Sequence, residues 1–150
     1  MDTELTSDEH LRALAALEAV VSNNDEGLAA LPGSAGERPL PELLAVYGRH
    51  TLERILVAAF GITATTDRDE TRRLVAELNA DPQARLTFLL TDALRQQAAA
   101  AGDDLATAKR IGISVLGAIA AFTDADNNDA LTLLRALRNE VFQPHSTNPR

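Results

Sequence analysis

The chain has no cysteine and no tryptophan, one tyrosine and one lysine, Lys109. Without thiols there is no disulfide staple, no thiolate zinc or iron–sulfur centre and no cysteine nucleophile, and such a chain suits a reducing compartment. Aromatic residues make up only 3%, too few for most sandwiches and barrels, whose strands draw on aromatic and β-branched side chains. Long apolar runs are also missing. The longest, Ile111 to Phe122, is shorter than the roughly 20 residues a bilayer-spanning helix needs, and it reads as a buried helix. The acidic, polar first residues lack the basic start and apolar stretch of a secretory signal. The expectation is therefore a cytoplasmic protein with no membrane partner.

What the sequence does contain is alanine and leucine, with arginine, glutamate and glutamine beside them, the residues that lose least on entering a helix. A chain of 150 residues is the size of one domain, large enough to hide roughly 68–70% of its unfolded surface around one core. Residues 1–150 are read as a single helical domain. The formal net charge is −8, which favours solubility and repels phosphate backbones. Residues 1–50 hold nine acidic and three basic side chains. That surplus could steer a basic partner, or simply be a solvated face.

Spacing predicts an all-α fold, a compact bundle of six or seven helices. Thr6 and Glu9 form a capping-box pair, followed by Leu11, Leu14, Leu17 and Val21 at helical intervals. Asp25 caps a short helix, and Pro32-Gly33-Ser34-Ala35-Gly36 makes 32–38 the place for a hinge. Pro41 opens a third helix that runs to about Phe60. Thr66 or Asp67 starts a fourth and Asp81-Pro82 a fifth; Asp103 or Asp104 starts a sixth that reaches Phe122. A seventh is expected from Asn128-Asp129 to Gln143, with 143–150 as a flexible tail. Gly61 to Thr66 is the one weak candidate for a strand. The helix near 104–122, apolar on all sides, is expected at the centre, with Ala108, Gly112, Gly117 and Ala121 letting neighbours approach closely.

The third helix carries two apolar stripes. Leu44, Tyr47, Thr51, Ile55 and Ala59 lie on one face, and Leu43, Val46, His50 and Val57 on another. A helix wetted on one side needs only one stripe. Either the bundle encloses it or a second copy covers it.

Chemical motifs are sparse. Ala108 to Ser114 resembles the junction of a helix-turn-helix, with an alanine packing in the first helix, a glycine at the turn and a serine opening the recognition helix. The segment that follows, Val115 to Phe122, offers nothing to hydrogen-bond a base edge, so nucleic acid is not expected as a partner. Asp124 to Asp129 spaces carboxylates like a calcium loop, but Asp129 stands where glycine is needed and Arg135 where the closing glutamate is needed; the segment reads as a turn that caps the next helix. His10 and His145 read as solvated. His50, beside Glu53 and Arg54, is the one histidine on an apolar stripe, suited to an interface or to proton transfer. No phosphate loop, nucleophile elbow or zincin motif occurs. No metal or other cofactor is expected.

The favoured reading is a helical protein–protein interaction or regulatory module that binds another protein or a second copy of itself. Its contact residues are expected to be Leu43, Val46, His50, Arg54, Val57 and Phe88, the last taken as exposed opposite Leu86, Leu89, Leu90 and Leu94. One alternative is a ligand-binding or catalytic bundle with a pocket lined by Tyr47, His50, Arg54 and Arg95. A further alternative, a DNA-binding regulator, rests on the residue 108–114 string alone.

Overall fold

The computed structural model describes residues 4–31 and 36–123. The expected seventh helix, the tail, the acidic turn at 124–129, His145 and part of the 32–38 connector lie outside them. The described residues form six α-helices and no strand: α1 (Ser7–Val21), α2 (Asp25–Ala29), α3 (Leu40–Ala59), α4 (Arg68–Ala80), α5 (Pro82–Ala101) and α6 (Leu105–Thr123). The fold is a compact all-helical bundle.

Local chemistry sets the helix starts. At α1 the Thr6 hydroxyl accepts from the Glu9 N–H, and Glu9 Oε2 accepts from the Thr6 N–H, so both sides of the capping box close. Asn24 caps α2 through the Gly27 N–H at 2.9 Å. The Asp81 carboxylate accepts from the Ala84 N–H at 2.9 Å, ahead of Pro82 in the first turn of α5. Asp104 accepts from both the N–H and the hydroxyl of Thr107 at the head of α6. Asp67 makes no such bond at α4. The Thr66 hydroxyl turns instead to the Thr63 N–H at 2.9 Å, and 61–66 is a hydroxyl-linked turn rather than a strand. Gly61, at φ 75°, takes the chain out of α3 through a left-handed step that glycine makes without penalty.

The main core draws on α1, α2, α3, α5 and α6. Its fully enclosed side chains include Leu14 and Leu17 of α1, Leu40, Leu43, Leu44 and Leu52 of α3, and Ile111 and Val115 of α6. From Leu40 to Gly48 every α3 residue except Glu42 is buried. Thus α3 is wrapped by α1, α5 and α6, and both of its apolar stripes are satisfied there within the chain. Leu56, Leu78 and Ala84 form a smaller second cluster, with Phe60, Ile62, Phe88 and Phe122 against it.

Helix α6 packs in the midst of the bundle as expected, but it is not enclosed on every side. It packs on α1, α3 and α5, with Ala108, Ile111, Gly112, Val115 and Ile119 buried, yet Ile113, Gly117 and Ala121 face outward. Its apolar surround is split between core and surface, and α3 is the more enclosed helix. By length and composition Leu105–Phe122 would suffice to cross a bilayer, longer than the apolar run alone suggests. Its inner side packs in the core, and Lys109 Nζ lies 2.9 Å from Asp25 Oδ1 of α2.

Two glycines mark the closest helix approaches. A β-carbon on Gly48 of α3 would stand 2.5 Å from Val115 Cγ2 of α6, and one on Gly112 would stand 3.1 Å from Val20 Cγ2 of α1. Of the four small α6 residues expected to admit neighbours, Ala108 and Gly112 do so. A β-carbon on Gly117 would meet nothing within 4 Å among the described residues.

Candidate functional site

The core-facing side of α5 is not its leucine-rich side. Ala84, Thr87, Thr91, Leu94 and Ala98 are the buried residues, spaced as one helical stripe. The two threonines tolerate burial because each hydroxyl donates back to its own helix, Thr87 to the Gln83 carbonyl at 2.8 Å and Thr91 to the Phe88 carbonyl at 2.9 Å. This small, self-satisfied stripe lets α5 lie close to α3. The consequence is that Leu86 and Leu89 are turned outward, at 66% and 64% exposure.

Beside these leucines lies a groove of about 420 Å³ between α5 and α6, lined by Gln83, Leu86, Thr87, Leu90, Ala118, Ala121 and Phe122. The short turn at Gly102–Asp104 folds α5 and α6 into a hairpin, so the start of α5 meets the end of α6 at this groove. A leucine exposed singly needs no explanation. Two of them one turn apart, the first lining an apolar trough, form the kind of patch that marks a contact surface. Among the described residues no group of three or more His, Asp or Glu side chains is placed to hold a metal ion. Among the described residues the lining carries no ionisable group, which suits the groove to apolar contact.

Compared with protein-family models, curated proteins and solved structures, the chain matches none.

The residues expected to make contacts are dispersed. Leu43 and Val46 are buried inside the chain's own core and are not available to a partner, because α1, α5 and α6 already cover α3. His50 is half-buried, Arg54 is exposed and Val57 is 39% exposed, so the stripe reaches the surface only toward its end. Phe88, expected to be exposed, is half-buried in the second cluster. The exposed positions are its neighbours Leu86 and Leu89.

The expected pocket residues also stand apart. Tyr47 is buried and meets the edge of the His10 ring, with centroids 6.0 Å apart and an interplanar angle of 82°. His10, expected to be solvated, is therefore half-covered, and its Nδ1 lies 2.9 Å from the Thr6 carbonyl oxygen. Arg54 and Arg95 are exposed on α3 and α5. Neither the α5/α6 groove nor a second concavity of about 280 Å³ between α1 and α2 is lined by Tyr47, His50, Arg54 or Arg95. The 108–114 string lies wholly inside α6, so the turn of a helix-turn-helix is not formed there.

Near the α3 entry, Arg12 of α1 donates to Glu37 Oε2 at 3.4 Å and to the Arg38 carbonyl, while Arg38 Nε lies 3.4 Å from Glu9 Oε1. Asp104 holds its carboxyl below the usual aspartate range, chiefly because the Thr107 hydroxyl and then the Thr107 N–H donate to it. Both features serve structure: one ties α1 to the start of α3 and the other caps α6.

Proposed function

We propose that this chain is a helical protein–protein interaction module whose contact surface is the Leu86–Leu89 ridge of α5 and the groove between α5 and α6. The matching element on the partner is an amphipathic helix, laid with its apolar stripe in the trough. The observation that carries this reading is the outward position of Leu86 and Leu89, the first of which lines an apolar groove. Leucine at such sites is costly to leave wet, since a fully buried leucine gains about 1.5–3 kcal/mol over an exposed one.

The test is selection from a displayed library of amphipathic helices against the full chain. Enriched sequences should carry apolar residues at three- and four-residue spacing, and should lose binding when Leu86→Glu and Leu89→Glu are introduced together. No enrichment, or binding indifferent to both substitutions, would overturn the reading.

A further inference from the structure

Opposite its buried stripe, α5 exposes Pro82, Leu86, Leu89 and Ala93, which recur at intervals of four, three and four. That is the spacing of a short coiled-coil seam. The order is the same read from either end, with a compact residue outside and a leucine inside. Turned end for end, the seam therefore matches itself, and Leu86 of one copy meets Leu89 of another.

Charge selects this direction. Arg85 and Asp92 flank the seam on one side, two turns apart and both exposed. Neither is in an ion pair among the described residues. In an antiparallel pair of helices like flanks meet, so Arg85 faces Asp92 of the second copy and Asp92 faces its Arg85. Flanking charges of this kind set partner choice and orientation. In a parallel pair the same flank would meet Gln83, Leu90 and Gln97, which offer no charge. Further round the helix, Asp81 and Arg95 repeat the pattern with the signs reversed. The Leu86/Leu89, Arg85/Asp92 and Asp81/Arg95 pairs are all centred within about half a residue of position 88, and no other ionisable side chain occurs from 81 to 101. We infer that the outward seam of α5 is a self-contact, on which two copies of this chain pair antiparallel through Leu86 and Leu89, with Arg85 and Asp92 fixing direction and register.

The inference rests on the reading that the Leu86–Leu89 ridge is a contact surface, and it names the partner. Area sets the strength. From Asp81 to Arg95 the seam is about 20 Å long and one helix, about 10 Å, wide, well short of the roughly 800 Å² per partner of a standard interface. Interfaces of standard size reach micromolar affinity or better, so this pair should have a dissociation constant above about 1 μM.

Sedimentation equilibrium of the full chain from about 10 μM to about 1 mM tests it. The mass should rise from monomer toward dimer. Leu86→Glu with Leu89→Glu should keep the chain monomeric throughout and leave its thermal melt unchanged, since both leucines already face water. Arg85→Asp and Asp92→Arg should each weaken pairing about tenfold, because each sets like charges together twice per dimer. Combined in one chain, the two substitutions should restore pairing. Mixed as separate variants, the two proteins should pair with each other about as well as the parent does, a rescue that misfolded chains would not give.

A monomer at every concentration would overturn the inference. So would pairing indifferent to Leu86 and Leu89, or a charge swap that fails to restore it. If a library-selected helix still binds the ridge in these cases, only the self-contact fails. If none is enriched either, the interaction reading fails with it.

Discussion

Replacing Gly48 by alanine would put a methyl carbon 2.5 Å from Val115 Cγ2 and 3.2 Å from Val115 Cγ1. Carbon atoms pack at about 3.5–4.0 Å, so α3 and α6 must separate or Val115 must leave its rotamer. Val115 is fully buried, which leaves it little room to turn. Overpacking of this kind costs about 1–3 kcal/mol, while exchanging glycine for alanine inside a helix returns up to about 1 kcal/mol. A 2.5 Å approach belongs to the upper half of that overpacking range, so the net expectation for Gly48→Ala is a loss of about 1–2 kcal/mol, seen as a fall in Tm of about 2–8 °C for a chain of this size. The assay is urea and thermal unfolding followed by far-ultraviolet circular dichroism, with the urea slope checked for constancy. Val115→Ala provides the internal control. It removes both clashing carbons and leaves the Val115 Cβ position, 3.4 Å from the new methyl, in ordinary contact. The double variant should therefore be about 1–3 kcal/mol more stable than the two single losses predict. Gly117→Ala, with nothing in reach among the described residues, should gain about 1 kcal/mol from propensity alone. A Gly48→Ala protein as stable as the parent, or a double variant that is merely additive, would refute the packing of α3 on α6 described here.

Three other expectations follow from polar contacts. Arg12→Ala should cost about 2 kcal/mol, because it removes charge-assisted bonds that tie α1 to residues 37–38; equilibrium unfolding measures it, and a change under about 0.5 kcal/mol would make the clamp incidental. Asp104 has a folded pKa below its ordinary 3.8, so its contribution to stability is complete above that value and is lost as pH falls through the lowered one. Thr107→Val removes the larger cause of the shift, so the Asp104 carboxyl should titrate closer to its ordinary value by nuclear magnetic resonance; an unchanged titration would break the assignment. Thr87→Val and Thr91→Val should each change stability by less than about 1 kcal/mol, since each hydroxyl bonds only its own helix, and a loss above about 2 kcal/mol would show that the hydroxyls do more than satisfy themselves.

Helix starts could be read from the sequence because caps are local: Thr6 with Glu9, Asp81 with Pro82, and Asp104 three residues before Thr107. The enclosed character of α3 was legible in part, since two apolar stripes require two covered sides, but the identity of the cover was not. Burial of α3 by its own chain left Leu43 and Val46 without surface. The exposure expected of Phe88 falls instead on Leu86 and Leu89, because periodicity does not say that Thr87 and Thr91 face the core. Small side chains that satisfy their own hydroxyls allowed a closer approach, and the leucines were displaced outward. The Gly48–Val115 contact depends on how two helices separated by a long stretch of chain cross, which spacing along either one does not encode.

The near-complete enclosure of Leu40–Gly48 bears on how this molecule tolerates variation. A saturation scan of an ordinary amphipathic helix yields a ripple, with permissive and forbidden positions alternating every few residues. Over this stretch the ripple should flatten into one forbidden block, broken only at Glu42. Diversity introduced for engineering belongs instead on α4, where Leu78 is the sole buried side chain.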